Sequence, residues 1–365
     1  MTTASTTEAP IADVPYRLTR LGVVMSVDPN ADFEAEGVCN PASGRDRAGR
    51  LWLLPRIVAA GNVSRIALAE LLVRDGQPVG VRRDGLVLSP DEGWERSNNH
   101  AGVEDPRSTW IAALKLHVMA YVAFGPLGPR PALAVSKDMR TWRRLGPVHF
   151  EYDPELGVDL NLYTNKDTVF FPEPVPDREG RPCFALLHRP TWDLGMILGA
   201  GNVYPPPGMT DTRPGIWISY VPVEAVHDDV RALTHVGGHR LVALPQYDWE
   251  ILKIGAGPPP RRVREGWLLI HHGVSGTLID GWGPQPGVRY CAGAMLLGAA
   301  DPAHVVARSA QPLLEPTAPE ERVGAVPNVV FPTAIEEIDG LPYVFYGMAD
   351  SSIGVAALER IGGER

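Results

Sequence analysis

Six consecutive residues, Gly102-Val103-Glu104-Asp105-Pro106-Arg107, bring two carboxylates, a rigid proline and a guanidinium together. Proline biases the residue before it toward an extended or turn conformation, so this stretch is not a helix interior. An apolar, strand-like run follows at residues 116–124. A carboxylate at a strand mouth beside a fixed cation suits a general acid or an acceptor for a sugar hydroxyl. A surface turn carrying an Asp/Arg ion pair would produce the same six residues, because structural ion-pair networks also gather charge.

The company this stretch keeps favours chemistry. Further polar clusters fall at Asn40 to Ser43 with Arg56, at Asn165-Lys166-Asp167, at His188-Arg189-Pro190, at Asp248 to Lys253 with Glu250 between them, at His271-His272-Gly273 and at Gly347 to Asp350. Adjacent residues of a strand face opposite ways, so His271 and His272 make a poor metal pair, and H-E-x-x-H does not occur. Gly255-Ala256-Gly257 lacks the third glycine of a dinucleotide fingerprint, no Walker sequence exists, and no G-x-S-x-G elbow offers an acyl-transfer serine. Neither a metal nor an organic cofactor is expected. What remains is a surplus of Arg, Lys, His and carboxylates at predicted strand mouths. Carboxylates with an aromatic platform suit a sugar; Trp110, Trp142, Trp192, Trp249 and Trp267 are the candidates, although core packing is the commoner fate of such residues. Cations such as Lys166 and Arg189 suit an anion such as phosphate.

Those clusters need a scaffold rich in turns. The chain has 365 residues with 38 Gly and 36 Pro, which argues against long helices. Short buried strands are predicted at 65–69, 132–136, 216–219, 292–296 and 353–357, each alternating small with larger apolar residues. The pattern returns five times, as in a radial repeat, and each module has room for about four strands. The expected fold class is all-β, a five-bladed β-propeller, with a loose tail at 1–14 and a single domain over 15–365. Other strand candidates lie at 51–54, 115–124, 168–171, 183–187, 267–271 and 343–346, while 39–43 is a turn cluster. The run 191–214 is too rich in glycine and proline for a strand and is long enough for a lid.

A net charge of -9 argues against a nucleic-acid partner. Cys39, Cys183 and Cys291 are odd in number and far apart, which suits free thiols in a reducing cytosol. With neither a secretory leader nor an apolar run long enough to span a bilayer, the expectation is a soluble cytoplasmic protein whose partners are small molecules, with a homo-oligomer left open.

The motifs together resemble glycoside hydrolase family 130, the β-mannoside phosphorylases. They are Asn40-Pro41-Ala42, Gly102 to Arg107, Asn165-Lys166-Asp167 with Phe171-Pro172, His188-Arg189-Pro190, Lys253 to Pro259, Gly266-Trp267-Leu268 with His272-Gly273-Val274, Pro327 to Pro332, and Tyr346-Gly347 to Asp350. The resemblance runs from about residue 38 to 358 and implies a single five-bladed propeller. It also implies inverting phosphorolysis of a β-mannoside by inorganic phosphate, giving α-mannose 1-phosphate and a free acceptor sugar. Asp105 would be the general acid, acting through a mannose hydroxyl. Arg130, Arg144 and Lys166 would hold phosphate with His188, Arg189 and His272 nearby, Arg143 being an alternative to Arg144. Asn40, Ser43, Arg56 and Glu250 would form the mannosyl subsite, with Asp248 competing for the place of Glu250, and Glu104, Arg107, Lys253 and Asp350 complete the substrate-binding set. Two alternatives stand beside this reading. One is an inverting β-mannosidase of the same family, which would need a base such as Glu104, Glu173 or Glu250; the other is a non-catalytic sugar-binding propeller.

Overall fold

The computed structural model describes residues 13–97, 101–199, 201–278, 285 and 287–362. Most of the expected N-terminal tail therefore lies outside the described residues. The architecture is all-β, and its helices are short turns such as Val223–Asp228 and Pro319–Arg322.

Five antiparallel meanders follow one another along the chain. Their first, innermost strands are Gly37–Arg45, Ala101–Ile111, Thr164–Phe170, Lys253–Ala256 and Val330–Ile338. The first two meanders are joined into one eight-stranded sheet by a short parallel register, Val63 to Ala101 and Ser64 to Gly102. The last meander borrows its outer strand from the start of the chain, since Tyr16–Ser26 pairs antiparallel with Ser352–Arg360. All five repeated segments predicted from the sequence fall on third strands: Val63–Arg74, Gly128–Ser136, Ile216–Pro222, Val288–Leu297 and Ser352–Arg360. The alternation of small and large residues there reflects a strand packed on both faces.

Five apolar clusters occupy the gaps between successive meanders, including the gap between the fifth and the first. Strand periodicity explains how one strand serves two gaps. Phe170, Phe184 and Leu186 point into one cluster, whereas their neighbours Val169, Ala185 and Leu187 point into the next. A strand buried on both faces is written as a continuous apolar run.

The innermost strands differ from the turn reading of 39–43, whereas 102–107 takes the extended one of the two conformations expected of it. Asn40, Asp105 and Asp167 sit inside strands, each at a register shift and each in the left-handed region, with φ of 42°, 45° and 55°. Asn and Asp tolerate that region better than other side chains, and a bulge bends the strand and re-aims a side chain. Three consecutive meanders thus turn one polar side chain inward at the same level. The run 191–214 carries a short turn of helix, Gly195–Leu198, and the isolated bridge Asp193 to Val203, with Trp192 buried beneath it.

Candidate active site

Asp105 is 4% exposed and is held from two sides. Asn40 donates through Nδ2 to its Oδ1 at 2.8 Å, and Arg56 donates through Nη1 to the same oxygen at 3.0 Å. Arg56 also donates to Glu104 Oε1 at 2.9 Å and to Ser64 Oγ at 2.9 Å. Lys166 faces the other carboxylate oxygen, with Nζ 3.4 Å from Asp105 Oδ2 and 3.7 Å from Glu104 Oε2. Asn40 can approach only because Gly347 has no side chain, as a Cβ there would lie 2.0 Å from Asn40 Oδ1.

Behind Lys166 stands a second buried set centred on Asp167. Arg189 donates through Nε to its Oδ2 at 2.6 Å, and Arg107 donates through Nη2 to its Oδ1 at 3.1 Å. His272 lies 3.5 Å from Asp167 through Nε2, its ring against Phe331. Gly255 is the matching close approach, since a Cβ there would fall 2.2 Å from Asp167 Oδ2. Lys253 stands over the Tyr290 ring at 5.6 Å.

The electrostatics separate these groups. Burial opposes ionisation of Asp105, but Arg56, Lys166 and the Asn40 amide outweigh it and hold the carboxyl well below its usual range. Asp167 is held down in the same way, with Arg189 the largest counterweight to its burial. Asp350, with φ of 51°, goes the opposite way: burial lifts it to about 6 against the pull of Arg56. Burial, aided by the charges of Arg189 and Lys166, brings Lys253 down to about 7. A site with one carboxylate held ionised, another that shares its proton near neutrality and a lysine poised at neutrality can bind an anion and move a proton.

Several expected ligands lie elsewhere. Arg107 is 1% exposed, and each of its three guanidinium nitrogens donates to protein, to Asp167, the Asp105 carbonyl, and the carbonyls of Ala256 and Gly257. It is a strut joining three innermost strands. Ser43 lies three residues past Asn40, and its Oγ donates to Glu336 at the opposite mouth. Glu250 is buried between Arg308, at 2.6 Å, and His271, at 3.2 Å, and it accepts from the backbone of Gln246 and Tyr247. Asp248 is exposed on the same short turn. His271 and His272 do face opposite sides, toward Glu250 and Asp167.

The cations expected for phosphate divide similarly. Lys166 and Arg189 join the site. Arg144 is engaged by the buried Glu95, with Nε 2.8 Å from Oε1, so it braces the turn Gly93–Glu95. Arg130 donates to the carbonyls of Asn161 and Tyr163. His188 is committed to a buried relay. Asn165 donates to its Nδ1 at 3.0 Å, its Nε2 reaches Ser219 Oγ at 2.8 Å, Ser219 reaches His239 Nδ1 at 2.7 Å, and His239 Nε2 donates to the Glu151 carbonyl at 2.8 Å. With every donor pointing toward that carbonyl, each imidazole is neutral, and burial pushes His188 well below its ordinary value. Of the tryptophans, Trp142, Trp192, Trp249 and Trp267 are core, and Trp110 is exposed at the far mouth. Tyr290, over which Lys253 stands, escaped the sequence reading, because a tyrosine on an apolar third strand reads as core.

Comparison with known proteins identifies the family. The glycoside hydrolase family 130 model, described as beta-1,4-mannooligosaccharide phosphorylase, matches residues 213–361. The 1,2-beta-oligomannan phosphorylase of Thermoanaerobacter sp. is 31% identical over 283 residues, covering 76% of this chain and 74% of that protein. The beta-1,2-mannobiose phosphorylase of the same organism is 32% identical, covering 74% and 69%. The solved beta-1,2-mannobiose phosphorylase of Listeria innocua superposes with a TM-score of 0.67 at 21% identity, over 94% of this chain and 96% of that one. Sequence and fold lead to one conclusion: this chain belongs to glycoside hydrolase family 130.

Proposed function

We propose that this chain is an inverting β-mannoside phosphorylase built as one closed five-bladed β-propeller domain. Five meanders, five inter-meander clusters and the pairing of the first strand with the last support that architecture. The observation that carries the activity is Asp105, fixed by Asn40 and Arg56, with the cations Lys166, Arg189 and Lys253 grouped on its other side. In this reading a phosphate oxygen attacks the anomeric carbon from the face opposite the leaving group, the glycosidic C–O bond breaks, and the departing oxygen takes up the proton that Asp105 supplies through a sugar hydroxyl. The products are α-mannose 1-phosphate and a free acceptor sugar. Phosphate is already an anionic nucleophile and needs no second carboxylate as base. Its arrival also offsets the cations that keep Asp105 ionised, which raises the affinity of that carboxylate for a proton.

The relatives named above act on β-1,2-linked mannosides, so β-1,2-mannobiose is the first substrate to test. The free, buried thiols of Cys39, Cys183 and Cys291 suit a cytoplasmic setting. A second reading, hydrolysis, gains support from the commitment of Arg130 and Arg144 to other partners. One solved structure with a TM-score of 0.70 at 20% identity, over 95% of this chain and 96% of that one, comes from work describing β-1,2-mannoside hydrolases within this family.

Incubation with β-1,2-mannobiose, β-1,4-mannobiose and mannosylglucose, each with and without phosphate, separates the two. Phosphorolysis gives mannose 1-phosphate only when phosphate is present, and free mannose formed equally without it would establish the hydrolase. Lys166→Ala is expected to raise the KM for phosphate by at least about tenfold, as loss of a charge-assisted contact does. Arg144→Gln should leave that KM unchanged.

A further inference from the structure

The third meander carries a row of polar side chains through its core, one on each strand: Asn165 on Thr164–Phe170, His188 on Pro182–Thr191, Ser219 on Ile216–Pro222 and His239 on His235–Ala243. They are 1%, 0%, 0% and 7% exposed. The positions around them are apolar, among them Leu186, Leu187, Ile218 and Val242. Polar groups in such a core destabilise it unless each is paired. The relay pairs them in a line that runs from the innermost strand outward to the Glu151 carbonyl.

The line has one direction. Glu151 offers a carbonyl oxygen, so His239 Nε2 must carry the proton and His239 Nδ1 must accept from Ser219. Ser219 Oγ, having donated, accepts from His188 Nε2, which leaves His188 Nδ1 an acceptor. Asn165 must then turn its amide NH2 to that nitrogen, at 3.0 Å, with Oδ1 further off at 3.3 Å. A carbonyl three side chains away thus decides which way the Asn165 amide faces.

That orientation frees Oδ1 to accept from the Arg189 backbone N–H at 3.1 Å. The ladder is short of such bonds here. Asn165 lies opposite Pro190, which has no N–H to give, Lys166 lies opposite Arg189, and regular pairing is interrupted between Lys166 and Val169. A flipped amide would set its NH2 against the Arg189 N–H, donor against donor, at the bulge that aims Lys166 and Asp167 inward. Lys166 and Arg189 are the cations that face Asp105 and Asp167.

We propose that Ser219 and His239, both on outer strands behind the site, are positioning residues: through His188 and Asn165 they fix the inward bulge and with it the placement of the Lys166–Arg189 pair. The consequence for phosphate rests on the phosphorylase reading above, whereas the positioning itself does not.

Two variants break the line with little change of packing. Ser219→Ala takes out the hydroxyl, and His239→Phe keeps a ring without its nitrogens. Ile218→Val, which removes one methylene beside Ser219, is the control for a purely structural defect. Hydrogen exchange of the full chain, read by mass spectrometry, should be at least about fivefold faster over 186–190 in both relay variants, the equivalent of one net hydrogen bond lost, and unchanged in Ile218→Val. In mannobiose turnover both relay variants should raise the KM for phosphate about fivefold and leave kcat within about twofold of wild type, a split that a general loss of stability does not produce. Unchanged exchange over 186–190 in both relay variants overturns the proposal, and so does an equal increase in Ile218→Val. Faster exchange with an unmoved KM for phosphate overturns the link to the cation pair. Turnover that is independent of phosphate would sink the phosphorylase reading instead, and exchange alone would then decide the positioning.

Discussion

The two ends of the innermost strands use polar residues in opposite ways. At the Asp105 end, Glu104, Asp105, Asp167 and Asp350 crowd against Arg56, Arg107, Lys166, Arg189 and Lys253, and most of these charges are engaged with one another. At the Ser43 end Arg47, Lys137 and Arg262 stand exposed, and the buried His117 is held neutral. The contrast teaches that burial alone does not set a group's protonation; its neighbours do. Asp105 is buried and Glu336 partly so, yet Arg56 and Lys166 keep the first ionised, whereas Glu336, near Ser43 and a more distant Arg45, is lifted to about 6.

The sharpest way to break the comparison is Asp105→Asn. The amide keeps the shape but cannot deliver a proton, so kcat should fall by about 10² to 10⁴-fold, while sugar binding measured by calorimetry stays close to wild type. A drop of less than about tenfold would remove Asp105 from the acid role. Next in size is Arg107→Met, which leaves Asp167 short of a partner and three carbonyls without their donor. Breaking a buried pair in this way costs about 3–5 kcal/mol, measurable by urea denaturation; near-wild-type stability would show that the strut is dispensable.

The smallest expected effect concerns pH at the opposite mouth. Glu336 moves from an ordinary value of 4.5 to about 6 in the folded chain, so between these values the native state holds a proton that the unfolded chain releases. Stability contributed by this group is therefore complete below about pH 4.5 and declines as pH rises toward 6, by up to about 2 kcal/mol. Glu336→Gln should flatten that decline in a series of melting curves. An unchanged slope would mean that the carboxylate is ionised in the folded state.

Much of the scaffold was legible because its strands are buried on both faces. Segments such as 132–136 and 292–296 read as apolar runs, and each lies on the third strand of its meander. The innermost strands were not legible in the same way. Asn40-Pro41 and Asp105-Pro106 carry turn chemistry, and only the bulges of the folded chain reconcile a left-handed residue with a strand. The grouping of Asn40, Arg56, Glu104, Asp105 and Lys166 followed from motif order. Which cations stand free could not be read that way, because Glu95, the partner that occupies Arg144, lies 49 residues away. Ser43 illustrates a finer limit: three positions past Asn40 on one strand, it serves the other end of the molecule.

Arg107 has one more consequence. By tying the Asp105 strand to Asp167 and to the carbonyls at 256 and 257, it links three meanders through a single buried side chain. A fault at this one buried guanidinium would therefore be felt in three meanders at once.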